Sequence, residues 1–410
     1  MAGLNFLHID INSYFATMLQ QENPDLRGKP VGVIKDKGRT CIIAASKEAK
    51  KLGVKTGCNV KEAKILAPHI ILVPAEFDIY LDATKKLKKI FENITPDAEI
   101  FSLDEAFIPL KTLKYIYPNP HKLAIKTKLT IKEVLGEWIT CNIGIAKNRL
   151  LAKIASEIAP KDSIFEINEQ NEEEILKTVN FSDVCGVGFK LEARLKELGV
   201  EHPYQIRTIP TDLLETKFGL FLAEALIQIG RGEGSYILDR SSAAHMKSVS
   251  RTITLFKLCG NETQIKSVLY NLAEEVTYKV RRMDMAGRQV GFFLQGEEKT
   301  ISAHRTLKQY IRHTNEMVEI IEDLYKNRKR TFRVIKFGVF LSYLKPLKEV
   351  PPTLFSEWYK NEKLYKSLDA ISQKYGLFTV RSGLLTQVKD IIRPEVTGYL
   401  GDKKYQFMEE

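Results

Sequence analysis

Apolar and polar positions alternate with two periods over the first 170 residues. Residues 4–9, LNFLHI, form a short apolar run that predicts a buried strand ending at Asp10. A helix follows over about 13–22, before the turn sequence NPDLRGKP. Two short strands, VGVI at 31–34 and TCIIAA at 40–45, flank the turn KDKG. Helical patterns occupy 47–52 and 60–66, then come the strand IILVP and a long amphipathic helix over 76–93. An extended run over 98–110, a helix over 121–135, the strand ITCNIGIA and the helix KNRLLAKIASEIA complete an α/β mixture that reaches about residue 170.

From 171 to 236 the pattern is helical with short loops, and the Gly- and Ser-rich stretch at 230–247 reads as a linker centred on 237–246. Residues 247–345 return to α+β: SVSRTITLF extended, 263–283 helical, RQVGFFLQ extended, 305–327 helical and FRVIKFGVFLSYL extended. A tail over 346–410 holds PPTLF and a helical stretch near 360–374. There is no internal repeat. The fold class expected is multidomain, α/β followed by α+β.

Composition sets limits on this picture. The chain has 410 residues, 44% of them hydrophobic, so it can bury cores in about two to four domains. No window approaches the roughly eighteen uninterrupted apolar residues of a membrane span, and the N-terminal MAGLNFLHIDINSYFA lacks the basic flank and cleavage site of a secretory signal. Five cysteines without a C-x-x-C pair imply neither a zinc site nor a disulfide framework, which fits a reducing cytoplasm. The net charge is +11. Residues 246–345 carry 19 Lys and Arg against 10 Asp and Glu, an excess of nine in a quarter of the chain. That segment is either a solvated basic face or a surface for phosphate.

The extended run AEIFSLDEAFIPL holds two adjacent carboxylates, Asp104 and Glu105, among apolar residues, and Asp10 ends the first strand. Carboxylates so placed need a cation, a partner or water. Three of them converging from two strands suit Mg²⁺-dependent phosphoryl transfer, in which two metals roughly 3.5–4 Å apart activate a hydroxyl and neutralise the leaving pyrophosphate. Mn²⁺ suits the same oxygen ligands. Adjacent residues of a regular strand face opposite ways. Asp104 and Glu105 can therefore share a site only beside a tight turn or bulge. The alternative is a surface hairpin tip, with Asp10 capping a helix.

Four segments in order, HIDINSYFA at 8–16, AASKEAKKLGVKTG at 44–57, SLDEAF at 102–107 and NIGIAKNRLLAKIAS at 142–156, resemble the Y-family or translesion DNA polymerases, the class of DNA polymerases IV and V. The resemblance runs over nearly the whole chain. It implies a palm over 1–170 with small fingers inserted at about 20–75, a helical thumb over 171–236, a linker over 237–246 and a DNA-gripping little finger over 247–345. It also implies error-prone, template-directed addition of dNTPs to a primer on template DNA. In that picture Asp10 and Asp104 ligate both Mg²⁺ ions, Glu105 supports the metal at the 3′-hydroxyl, and the Ile11 carbonyl adds a ligand. Phe15 falls at the family's steric gate against ribonucleotides. Tyr14 beside it reads equally as a nucleotide contact or as core.

Lys47 and Lys50 stand where the family usually has a Tyr and an Arg on the triphosphate; Lys neutralises phosphate but lacks the two-pronged grip of Arg. In IAPKDS the order Pro160-Lys161 departs from the family's frequent Lys-Pro, and the resemblance carries Lys161 over to the nucleotide in spite of that inversion. The segment GVGFKLEARLKELG resembles a helix-hairpin-helix, with Gly186, Gly188 and Lys190 set for sequence-independent contact to a DNA phosphate. KSVSRTIT matches the first strand of the little finger, where Lys247, Ser248, Ser250 and Arg251 would grip the template backbone, with Arg333 and Lys336 on a second strand. Thr353, Leu354 and Phe355 fit an extended sliding-clamp anchor, although Pro351 replaces the expected Gln. Two rival readings fit the same residues. A DNA-binding accessory protein on the same scaffold would explain the Lys47 and Lys50 departures, and a nucleotide cyclase on a related palm would leave the thumb and the basic segment unused.

Overall fold

A computed structural model of the chain describes residues 4–35, 41–234, 246–351, 356–376 and 379–388. The chain divides into two units, Met1–Leu238 and Asp239–Glu410. Residues 235–245, which include most of the expected linker, and residues 353–355 lie outside the described residues.

The first unit is built on a five-stranded sheet in the order β5-β6-β1-β7-β8. Its centre is β1 (Phe6–Ile11), flanked by β6 (Glu105–Pro109) and β7 (Cys141–Ala146), both antiparallel to it. The extended run expected over 98–110 is two strands: β5 (Glu99–Ile100) and β6 are joined by a bend. β8 (Ile164–Glu166) closes the other edge parallel to β7.

Helices follow and link these strands. Between β1 and β5 run α1 (Tyr14–Glu22), α2 (Lys47–Lys51), α3 (Val60–Leu66) and α4 (Phe77–Ile94). Helix α4 buries Tyr80, Ala83, Thr84, Leu87, Ile90 and Phe91, the spacing of one helical stripe. Helix α5 (Pro120–Leu135) starts on an Asn119 cap with Pro at its first position. Helix α6 (Arg149–Ile158) starts on Asn148, whose side chain accepts from the Leu151 amide at 2.9 Å. α6 packs directly on β7, because Gly144 has no side chain: a Cβ there would meet the Ala152 carbonyl oxygen at 1.9 Å. A smaller sheet, β3 (Ile42–Ala45), β2 (Val31–Ile34) and β4 (Ile71–Pro74), is inserted between α1 and α4. After β8 the chain is helical: α7 (Glu172–Thr178), α8 (Phe189–Lys196), α9 (Thr211–Phe218) and α10 (Leu220–Arg231) share an apolar core with α6.

The second unit is an antiparallel sheet in the order β11-β10-β12-β9, with two helices packed on one face. Its elements in sequence are β9 (Ser248–Cys259), α11 (Glu262–Arg282), β10 (Met285–Gln295), β11 (Thr300–Ile311), α12 (Thr314–Lys326) and β12 (Val334–Ser342). A short β13 (Lys345–Pro346) pairs with β10. One expectation fails here: 305–311 are strand, not helix. Ala303, Leu307 and Ile311 recur every fourth residue, which satisfies a helical stripe as well as strand alternation. Pairing with β10 decides between them.

The tail adds a third element to this layer. Helix α13 (Ser356–Tyr375) docks on α11 and α12 through Asp369, whose two oxygens take Arg281 at 2.8 Å each, and through Tyr365, stacked on His313. Beyond it, Leu385 and Val388 enter the core of the unit.

Candidate active site

Register brings the carboxylates together. Asp10 pairs with Glu105 across β1–β6 and with Asn142 across β1–β7. Residues directly opposite in an antiparallel pair share a face, so Asp10, Glu105 and their neighbours His8 and Phe107 lie on one side of the sheet. Asp104 is not in the strand. It belongs to the bend at 102–104, where the Phe101 and Ser102 amides both donate to the Glu105 carbonyl, at 2.9 and 3.1 Å. The Ser102 hydroxyl donates to the Asp104 carboxylate. The facing problem posed by two adjacent carboxylates is thus resolved by a tight turn immediately before β6. The Ile11 amide donates to the Asp104 carbonyl at 3.1 Å, which ties the end of β1 to that turn.

The site is electrostatically strained toward a cation. Burial of Asp10, then the negative charges of Asp104 and Glu105, push its carboxyl well above the usual carboxylate range. Glu105 is treated differently. Burial works against its ionisation, but the Lys153 ammonium, 2.9 Å from Oε2, holds it well below the usual carboxylate range. His8 is fully buried; its Nδ1 shares a proton with the Ser156 hydroxyl at 2.6 Å, and burial lowers its pKa to about 4, so the imidazole is neutral at pH 7. Its Nε2 faces Glu105 at 3.7 Å, beyond hydrogen-bond reach, and has no hydrogen-bond partner.

Among the described residues, no three His, Cys, Asp or Glu side chains stand close enough together to hold a metal ion. The donor chemistry nonetheless fits a hard divalent cation: three carboxylates, with Asp10 facing the charge of the other two, and Lys153 of α6 paired with Glu105. Sequence reasoning assigned Lys153 no role. Its signal was a lysine amid the buried Leu150, Leu151, Ala152, Ile154 and Ala155 of one helix.

The residues expected at the nucleotide separate into two groups. Lys50 senses, after the loss of water around its own ammonium, the charge of Lys161, and then those of Asp10, Glu157 and Asp104; the net effect lowers its pKa. Lys50 thus lies within electrostatic reach of Lys161 as well as of Asp10, Glu157 and Asp104. Phe15 is half-buried, its ring 4.4 Å from that of Tyr80. Tyr14 is core: it is 3% exposed, and its hydroxyl donates to the Tyr80 carbonyl at 2.6 Å and meets the Thr84 hydroxyl at 2.9 Å. Lys47 lies instead over the Trp138 ring, 4.4 Å from its centroid, with Arg27 also on that ring at 5.3 Å. Cation–π attraction holds it there, so of the two α2 lysines it is Lys50 that senses the carboxylates.

In the helical part, Gly186 adopts φ 92°, a left-handed conformation that favours glycine. Gly188 is the residue before α8 and has open space where a side chain would be. Both glycines, Phe189 and Lys190 are exposed. In the second unit, Ser248, Ser250, Thr252 and Thr254 alternate onto the sheet face away from the helices and are exposed. They are joined there by Lys336, opposite Thr254, and Lys247 is exposed just before them. Arg251 is on the other side. It has the parity of the buried Val249 and Ile253, and it pairs with Glu275, a buried carboxylate of α11. Strand alternation moves it away from the Ser248 and Ser250 face. Arg333 is exposed and donates to the Leu258 carbonyl at 2.9 Å.

A sheet whose central strands bring acidic residues face to face, with a small β insertion after the first of them, a helical segment behind it and a separate antiparallel α+β unit, is the architecture of a Y-family polymerase. The chain belongs to the impB/mucB/samB family. The family profile matches residues 9–157, and the profile of the family's C-terminal domain matches 246–354. DNA polymerase IV of Moorella thermoacetica is 30% identical over 91% of this chain and 94% of its own length. DNA polymerase IV of Treponema denticola is 30% identical over 78% and 80%. Among solved structures, a Y-family DNA polymerase chimera built on Dbh is 25% identical, with a TM-score of 0.71 over 83% of this chain and 98% of that one. DinB from Sulfolobus solfataricus, also 25% identical, covers the same shares with a TM-score of 0.53.

Proposed function

We propose that this DNA-directed DNA polymerase carries out template-directed, translesion-type synthesis with Asp10, Asp104 and Glu105 as its catalytic carboxylates. The observation that carries the reading is the register that opposes Asp10 to Glu105, with Asp104 turned in beside them and Lys50 within electrostatic reach of Asp10, Asp104 and Lys161. Asp10 and Asp104, with the Ile11 carbonyl, would hold Mg²⁺, or Mn²⁺ in its place, and Glu105 would serve the ion at the primer 3′-hydroxyl. The bound ions supply a lowered hydroxyl pKa and charge neutralisation on the leaving pyrophosphate. Lys50 and Lys161 hold the triphosphate. Phe15 excludes the ribose 2′-hydroxyl by bulk. Lys153 neutralises Glu105 and keeps it ionised.

In the same reading, residues 1–170 are palm with the small sheet as fingers, 171–236 thumb and 247–345 little finger. Gly186, Gly188 and Lys190 meet DNA phosphates, as do Lys247, Ser248, Ser250, Arg333 and Lys336. Arg251 holds its strand to α11 rather than touching DNA. Among the described residues no helix is long and apolar enough to cross a membrane. We place the enzyme in the cytoplasm, where its DNA substrate would be, and keep a sliding clamp as partner through Thr353, Leu354 and Phe355. No observation favours the accessory-scaffold alternative, since all three carboxylates are present.

Extension of a primed template with four dNTPs and Mg²⁺ tests the assignment. Asp104→Ala and Glu105→Ala should each lower extension by at least about a hundredfold, as expected when charge at the reacting centre is removed, while binding of the primer-template is kept. Extension at wild-type rates by either variant would remove that residue from the site.

A further inference from the structure

The turn that carries Lys161, whose order with Pro160 is inverted relative to the family, follows a helix end held beside the Asp10 strand, and it is tied on both flanks. On one flank, Asn142, opposite Asp10 in the ladder, donates from Nδ2 to the carbonyls of Ser156 at 2.9 Å and Ala159 at 3.2 Å. This fixes the end of α6 beside the Asp10 strand. On the other flank, Asp162 has φ 60°, a left-handed conformation that is unfavourable for most residues but better tolerated by Asp and Asn. Its carboxylate accepts from Lys128 at 2.6 Å and Lys132 at 3.2 Å, one turn apart on α5. Lys128 also donates to the Cys141 carbonyl at 2.8 Å, where β7 begins. The Ser163 hydroxyl closes the turn on the Pro160 carbonyl at 2.6 Å. Lys161 itself is exposed.

We propose that Asp162, clamped by Lys128 and Lys132, is a positioning residue that fixes this left-handed turn so that Lys161 is presented beside Lys50, and thereby sets the affinity for the triphosphate of the incoming nucleotide. The inference rests on the reading of Lys50 and Lys161 as the triphosphate contacts. Two ammonium groups held near each other repel, and before an anion arrives the turn would relax to separate them unless something holds it. The two ion pairs to α5 hold it. Because its oxygens are taken by Lys128 and Lys132, Asp162 does not quench the charge of Lys161 next to it.

Single-nucleotide insertion by the full chain on primed DNA, resolved into KM for the dNTP and kcat, separates the possibilities. Asp162→Asn keeps the shape and the tolerance of positive φ but loses the charge. It should raise KM about five- to tenfold with kcat changed less than about twofold, the pattern of lost uniform binding. Lys161→Ala should raise KM at least as much, and the double variant should be no worse than Lys161→Ala alone, since both act through one contact. An unchanged KM in Asp162→Asn beside a raised KM in Lys161→Ala overturns the positioning role and leaves the triphosphate reading intact. Fully additive effects also overturn it. An unchanged KM in Lys161→Ala overturns the triphosphate reading itself. Should Asp162→Asn unfold, the paired Lys128→Met and Lys132→Met substitution must give the same KM-selective loss, and wild-type KM there overturns the proposal.

Discussion

At the scale of single residues, the site is governed by which charges are answered. Glu105 is answered by Lys153 at 2.9 Å, whereas Asp10 faces the negative charges of Asp104 and Glu105. The first pair is largely enclosed, with side-chain exposures of 15% and 17%. Removing one partner therefore leaves a buried carboxylate short of a donor, which costs about 1–3 kcal/mol. Lys153→Met should lower the melting temperature measured in EDTA by several degrees, at about 2–4 °C per kcal/mol. Adding Glu105→Gln should recover most of that loss, because the unanswered charge is gone. A double variant less stable than Lys153→Met would show that the lysine stabilises the fold through its packing and not through Glu105.

At the scale of elements, the docking of α13 on the second unit couples stability to pH. His313 is buried at the start of α12. It is faced by Glu316 on its own helix, by Glu362, Trp358 and Tyr365 on α13, and by the adjacent Arg312. Burial alone would lower the pKa of His313, but the two carboxylates, each at 2.9 Å, outweigh it and raise it above the ordinary 6.5. Glu362 is shifted the opposite way, held below its ordinary 4.5 by His313 against the effect of burial.

The sign follows from linkage. The stabilisation from His313 is fully present below pH 6.5 and is lost as pH rises through its raised folded value. That from Glu362 is present above pH 4.5 and is lost as pH falls through its depressed value. Docking of α13 should therefore be firmest between about pH 4.5 and 6.5. Trp358 fluorescence, in a chain with Trp138→Phe, should show α13 melting at lower temperature at pH 9 than at pH 6. His313→Asn should flatten that difference. An equal pH dependence in His313→Asn would place the responsible group elsewhere.

At the scale of the whole molecule, binding to DNA is a matter of how many phosphates are neutralised. Each phosphate contact contributes about 0.9 to the slope of log affinity against log salt. Lys247→Ala and Lys336→Ala should each reduce that slope by about one for a primer-template. Arg251→Met should leave the slope unchanged, since Arg251 is turned to Glu275, and should instead destabilise the second unit. A salt slope reduced by about one in Arg251→Met would place Arg251 on DNA after all.

Much of this protein could be read from its sequence, because much of it is local. The first strand with its Asp10, the amphipathic stripe of α4 and the order of four motifs are legible in the sequence, and the motifs by themselves resemble the Y-family class. Local pattern also limited what could be known. Ala303, Leu307 and Ile311 satisfy two periods at once, and only their neighbour β10 makes them a strand. Tyr14 and Phe15 are adjacent and aromatic, and only the position of Tyr80 and Thr84 commits the Tyr14 hydroxyl to the core. Lys47 and Lys50 lie on one short helix, and only Trp138, distant in sequence, draws one of them away from the carboxylates. The opposition of Asp10 to Glu105 and to Asn142, and the pairing of Lys153 with Glu105, join residues 48 to 132 positions apart. Such pairs depend on strand register and on helix–sheet packing at Gly144, which no local pattern encodes: the sequence determined which residues the chemistry could use, and the tertiary structure decided which of them meet.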